Sequence, residues 1–233
     1  CRLTRSRIAS GDIYGGQDMA ERCMGLVSQD VLQKSDERQM SPRVWRWLAI
    51  CERYFGLAIQ SIISPDGMDQ GLQDELSLAA LRHFNISCTY SLKATREELL
   101  VEAAIGAWNV SLHLVDSPAS RQSLMLLQRQ IIDSLLTTSE SNPDALLLKQ
   151  QFYLALIECL SFDRDWDAVL EVVMEAFDNV PTKMQKPLWK WRVVAMSKKG
   201  KNVLDGIANL KEGDPSLQAK VYGILARASS IPK

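Results

Sequence analysis

The chain has 233 residues with 27 basic and 28 acidic side chains, a balance that gives no general electrostatic reason to expect nucleic acid or an anionic membrane as partner. At 46% hydrophobic residues it can bury a substantial core and is too apolar to be disordered throughout. Its five cysteines (Cys1, Cys23, Cys51, Cys88, Cys159) are scattered, no CxxC occurs, and His83 and His113 are its two histidines, which argues against a zinc site.

Residues 1–40 open on the Gly-rich stretch Gly11–Gly16 and read as a partly mobile segment with a candidate helix over 17–34. Because the sequence begins at Cys1 rather than at a methionine, it is expected to be a piece of a longer protein. Ser41-Pro42 then opens a helix to about Ile63, since Pro at the first helical position loses no hydrogen bond and Ser before it can cap. Its apolar stripe runs through Val44, Leu48, Cys51, Phe55, Ile59 and Ile62, widened by Trp47, Tyr54 and Ala58, and Ser64-Pro65-Asp66-Gly67 closes it. A second helix spans Leu72 to Leu92, and Thr95-x-x-Glu98 reads as a capping box opening a third to about Val115. Ser117-Pro118 opens the next, to about Thr137, and Asn142-Pro143 one to about Leu160. Helices over Trp166–Asp178, Pro187–Lys199 (stopped by Gly200), Val203–Leu210 and Ser216–Ala228 complete an array over 41–233. Strand-like alternation is nearly absent, so the fold is expected to be all-α. Cys51, Cys88 and Cys159 fall within apolar helical patterns and read as small buried residues in a reducing compartment. No apolar run approaches the roughly 18 residues that a membrane span needs, so no membrane is expected.

Residues 145–181 keep the spacing of a tetratricopeptide (TPR) repeat while replacing much of its chemistry. Tyr153 takes the Trp place, Leu156 the Leu, Ile157 the Gly and Leu160 the Tyr; Val169 takes the Ala and Val173 the Phe, while Ala176 and Pro181 stand where small and closing residues belong. Asp165-Trp166-Asp167 marks the turn. The helix from Pro187 carries Trp189, Val193 and Met196 on one face and Trp191 and Val194 nearly opposite, as a helix sandwiched between successive repeats would. One hairpin of this kind cannot bury its apolar face, so the expected architecture is an α-solenoid of TPR-like antiparallel hairpins with packing positions Tyr153, Leu156, Leu160, Trp166, Val169, Val173, Ala176, Pro181 and Trp189.

The chain offers little catalytic chemistry. Asp163-x-Asp165-x-Asp167 resembles the start of a calcium loop, but Ala168 and Met174 stand where the loop needs Gly and Glu, so an acidic helix cap is the better reading. Neither Gly11–Gly16 nor Gly200-Lys201-Asn202 completes a phosphate loop. The two histidines lie within helical patterns and lack a catalytic partner nearby in sequence. The sequons at Asn85 and Asn109 fall inside helices and read as coincidental. No cofactor, metal or small-molecule substrate is expected, and the chain is read as not an enzyme. The basic run Lys183, Lys186, Lys190, Arg192, Lys198, Lys199 and Lys201 contains no acidic residue; a solvated helix face is the plain reading. Lys190, Arg192, Lys198, Lys199 and Lys201 are the candidate face for an acidic protein partner, preferred over nucleic acid because the interleaved tryptophans are needed for packing.

Over residues 145–233, a Pro-closed hairpin is followed by Leu188-Trp189-Lys190, a Lys-x-Gly-Lys-Asn stop, Asp214-Pro215 and a closing Leu225-Ala226-Arg227-Ala228-Ser229. With the repeat style of 96–112, these features resemble the TPR region of the cilia- and flagella-associated protein 46 family, large scaffolds of the flagellar central apparatus. The resemblance implies a non-catalytic structural role in the axoneme, with other large axonemal scaffold proteins as partners, some microtubule-associated. It implies a location in the cytoplasm, the cytoskeleton and the ciliary or flagellar axoneme. The alternative is a cytosolic TPR adaptor or co-chaperone module that captures short peptide segments on a basic clamp.

Overall fold

The computed structural model describes residues 18, 21, 22, 25, 40–63 and 68–200. Between residues 40 and 200 the described residues form α1 (Pro42–Ile62), α2 (Gln70–Lys93), α3 (Glu97–Ser111), α4 (Arg121–Leu135), α5 (Pro143–Phe162), α6 (Trp166–Asn179) and α7 (Lys186–Lys198). Short 3-10 turns at Leu112–Leu114 and Thr182–Met184 follow α3 and α6, and no strand occurs among the described residues. The all-α expectation therefore holds. The helices expected over 17–34, 203–210 and 216–228, the Gly11–Gly16 stretch, Ser64–Gly67, Cys1, Cys23 and Lys201 lie outside what is described or are only fragmentarily covered. The chain divides into two compact units, residues 1–148 and 149–233, which the expected 41–233 array spans.

In the first unit α2 is central, packed along α1 and α3 and touching α4. Its contacts with α1 run antiparallel. The Trp45 and Tyr90 rings sit 5.3 Å apart, Ser87 Oγ donates to Ala49 O at 2.7 Å, and Glu52 meets His83, so each step forward on α1 is a step back on α2. Alternate helices run parallel. Ser120 on the α3–α4 connection and Gln130 on α4 bond to Asp74 and Asn85 of α2 across 46 and 45 residues, and Arg53 of α1 pairs with Glu102 of α3 across 49. These offsets exceed the 34 residues of a TPR unit, because α1 and α2, at 21 and 24 residues, are too long for one.

The three helices meet at Phe84. Its ring is fully buried between Gly56 of α1 and Gly106 of α3, which lets both backbones close on one aromatic side chain. Also buried in these helices are Leu48, Cys51, Phe55 and Ala58 of α1, Ala80, Leu81 and Cys88 of α2, and Leu100, Ala103 and Ala107 of α3. Two of the three buried serines of α2 donate to backbone carbonyls: Ser87 to Ala49 O and Ser91 to Ser87 O. Trp45 rather than Trp47 completes the α1 stripe. It packs with Leu48 and Ala94 against Tyr90, while Trp47, two residues on and so about 200° around the helix, is 44% exposed.

Several helix starts differ from the sequence reading, each for a local reason. Thr95 does not form a capping box: its Oγ1 donates to Ala94 O, its φ is 53°, and α3 begins at Glu97 behind an uncapped Arg96. Ser117 does not cap α4. Its hydroxyl and that of Ser120 instead donate to Asp74 Oδ2, tying the α3–α4 connection to α2, and α4 starts at Arg121. Asn142 and Asp165 do cap. Asn142 Oδ1 accepts from Asp144 N and Ala145 N at 3.1 and 3.2 Å, and Asp165 Oδ1 accepts from Ala168 N at 3.1 Å. Gly200, at φ 65°, follows the last turn of α7 as a helix stop should. Contrary to the expectation from apolar runs, α5 is by length and composition apolar enough to cross a membrane. Its Phe152, Tyr153, Ile157 and Cys159 are buried, as they are in the core helix of a folded unit.

Candidate partner-binding surfaces

In the second unit the hairpin positions divide between core and rim. Tyr153, Leu156, Val169, Val173 and Ala176 are buried; Leu160, Trp166, Pro181 and Trp189 are half-buried. Tyr153 is fully enclosed, yet its hydroxyl is satisfied: it donates to Glu175 Oε1 at 2.9 Å and accepts from Asn179 Nδ2 at 3.3 Å. Neither partner was indicated by the repeat spacing. Two glutamines, also unmarked in the sequence pattern, hold the turn into α7. Gln185 Nε2 donates to Phe177 O and Val180 O, both at 2.7 Å, and Gln150 Nε2 donates to Met184 O at 2.6 Å. Buried carbonyls at a helix end need such donors, and a side-chain amide can reach two at once.

The candidate basic face is not a single row. Trp189 lies against Phe177, ring centres 4.8 Å apart, and the Arg192 guanidinium sits 5.0 Å from the Trp189 ring and 5.8 Å from the Phe177 ring. Arg192 and Lys199 are seven residues apart and so on one side of α7, where Lys199 pairs with Asp167 of α6. Lys199 thus spends its charge on a carboxylate of the neighbouring helix rather than on the carbonyl end of its own. Lys190 and Lys198 are exposed, with the Lys190 ammonium 5.6 Å above the Trp191 ring. Trp191 is half-buried.

His83 has a partner that its sequence neighbourhood does not show. Its Nδ1 lies 2.6 Å from Glu52 Oε2, and its ring stacks on Phe55 with centres 5.3 Å apart. The pair links α1 to α2 and leaves Glu52 buried. Asn85 is buried in α2 with its Nδ2 on Gln130 Oε1 at 2.5 Å, and Asn109 is exposed on α3; both sequons are helical. Cys51, Cys88 and Cys159 are buried thiols, none of them in a disulfide. Burial pushes the Cys88 thiol up to about 12, the opposite of what a nucleophilic cysteine requires.

No family model matches the chain. It is similar to cilia- and flagella-associated protein 46 of Chlamydomonas reinhardtii. The two are 22% identical over 199 residues, 84% of this chain but 7% of the relative. The similarity is that of a distant relationship, and the chain corresponds to a small part of a very long protein. Cilia- and flagella-associated protein 46 carries no enzymatic activity in its name. The matched 199 residues extend beyond segments 96–112 and 145–233, which carry the resemblance in the sequence.

Proposed function

We propose that this chain is a non-catalytic structural segment of a scaffold in the cilium or flagellum, in the axoneme at a projection of the central apparatus. It would act as an α-solenoid of antiparallel helical hairpins that binds other large axonemal scaffold proteins, some of them microtubule-associated. The observation that carries the reading is the similarity to cilia- and flagella-associated protein 46 along 84% of the chain. The geometry supports it at a coarser level: in the first unit, neighbouring helices run antiparallel and alternate helices parallel, the arrangement by which stacked hairpins build a continuous core. Hairpin spacing is TPR-like over 145–181 and longer over 42–142.

The mechanism is assembly by surface rather than by chemistry. Rigid helical units present rows of side chains to partner chains, buried aromatic anchors supply most of the affinity, and charge complementarity selects the partner. The test is the position of the full-length tagged parent protein in a flagellated cell, before and after detergent and high-salt extraction. Retention along the axoneme, away from its base, is the expected result. A soluble cytosolic signal would overturn the reading and favour the peptide-binding adaptor.

A further inference from the structure

In the first unit a cleft of about 670 Å³ opens between the start of α1 and the α2–α3 turn. Arg43, Arg46 and Trp47 line it from α1, Thr95 and Arg96 from the turn, and no carboxylate is among its lining residues. All five side chains are exposed, and none of the three guanidiniums has a hydrogen-bond or ion-pair partner among the described residues.

Two features of this cleft work against the fold's own stability. Arg43 occupies the first turn of α1 and Arg46 begins the second, at a positive helix end that favours acidic residues; the first turn has none, and Ser41 contributes no side-chain cap. Thr95 is β-branched yet held at φ 53°, which costs about 1–3 kcal/mol that a glycine would avoid. Local rules broken together at one exposed place indicate that the place serves something other than folding.

A second cavity of about 440 Å³ adjoins the first through Thr95 and Arg96. Its lining differs: Leu92 and Leu100 are apolar, Thr137 and Thr138 carry hydroxyls, and Glu97 is acidic. A uniformly anionic polymer such as RNA would gain from the arginines and then meet Glu97. A peptide can change character along its length, from carboxylates to an apolar side chain, and match both cavities.

We propose that this double cleft docks a short segment of a protein partner in which two or more acidic residues are followed by an apolar one. The carboxylates engage Arg43, Arg46 and Arg96, for which the planar guanidinium fork suits paired N–H···O bonds. The stem of the segment lies against Trp47, and the apolar residue enters the cavity of Leu92 and Leu100. The inference stands apart from where the parent protein resides, so its failure would leave the axonemal reading untouched.

The experiment is fluorescence anisotropy of the 233-residue chain with a labelled Glu-Glu-Glu-Leu-Leu peptide, its Gln-Gln-Gln-Leu-Leu counterpart, an all-Glu peptide and an oligouridylate. The acidic–apolar peptide should bind best, at about micromolar Kd, and weaken with salt. The amide counterpart should bind at least about tenfold more weakly, as should the acidic peptide with an Arg43→Gln/Arg46→Gln/Arg96→Gln variant of unchanged helicity. If that triple variant loses helicity, the single Arg46→Gln, exposed on α1, takes its place with an expected loss of a few-fold. Equal binding of the amide peptide, undiminished binding by the variants, or tighter binding of the oligouridylate would each overturn the proposal.

Discussion

Substituting Gly106 by alanine tests the junction at Phe84 directly. A Cβ added at Gly106 would lie 2.4, 2.7 and 2.8 Å from three carbons of the Phe84 ring, whereas carbon atoms in contact prefer roughly 3.5–4.0 Å. The ring cannot retreat by the roughly 1 Å needed, because its other flank is against Gly56, where a Cβ would stand 2.9 Å from it. Overpacking of this kind costs about 1–3 kcal/mol, and alanine's better helix propensity returns up to about 1, so Gly106→Ala should lose about 1–2 kcal/mol. Gly56→Ala, with its longer contacts, should lose less. In a Phe84→Ala background the sign should reverse: the ring is gone, and Gly106→Ala should stabilise by about 0.5–1 kcal/mol. Global unfolding curves would mix the two compact units, so opening is better read from thiol labelling of Cys88, buried one turn beyond Phe84 on α2, with Cys159 of the second unit as internal reference. If Gly106→Ala were as harmful without the Phe84 ring as with it, the close approach of α1 and α3 on that ring would be wrong.

Gln128 is fully buried on α4, in line with Leu124, Ile131 and Leu135, and neither atom of its amide has a hydrogen-bond partner. Gln128→Met, of similar shape, should raise stability by about 1–2 kcal/mol in the same labelling assay; a loss would mean the amide is satisfied in solution. Asp74 anchors the α3–α4 connection through Ser117 and Ser120, and Gln70 Nε2 donates to its other oxygen at 2.8 Å. Asp74→Ala should therefore cost about 1–3 kcal/mol and speed amide exchange at 117–121, and unchanged exchange there would refute the anchoring role. The Cys88 thiol is raised from 9.0 to about 12 chiefly by burial, partly opposed by a backbone hydrogen bond. The folded state thus holds this proton more tightly than the unfolded state, so its contribution is complete below pH 9 and is lost as pH rises from 9 through 12. Cys88→Ala should flatten the decline in stability over that window, by a slope of up to about 1.4 kcal/mol per pH unit; an identical decline in the variant would assign it to other groups.

Helix content and many boundaries were legible in the sequence because their signals are local. Pro42, Asn142-Pro143, Asp165 and Gly200 act through the backbone within a turn of themselves, and the structure uses each of them as read. Ser117 and Thr95 carry similar letters but fail as caps. The Ser117 hydroxyl found a stronger acceptor in Asp74, a carboxylate 43 residues away, and Thr95 was drawn into a left-handed turn that bonds its hydroxyl to Ala94 O. A capping motif counts only the acceptors and donors beside it, so long-range competition is invisible to it. The same limit hid Glu52 from His83 and placed Trp47, not Trp45, in the core stripe.

The sequence by itself determined that the described residues are helical, where most of their helices begin and end, and that Cys51, Cys88 and Cys159 are buried, since periodicity and capping depend on residues within four positions of one another. Only the tertiary structure decided which helices are neighbours. That depends on contacts as small as the absent Cβ atoms of Gly56 and Gly106, which a hydrophobic pattern scores as nothing. Tertiary packing likewise gathered Arg43, Arg46 and Arg96 on one cleft and divided Arg192 and Lys199 from Lys190 and Lys198, although the latter four stand within nine residues of each other. Charge is a property of the residue, but whether it is available to a partner depends on what stands opposite it in space.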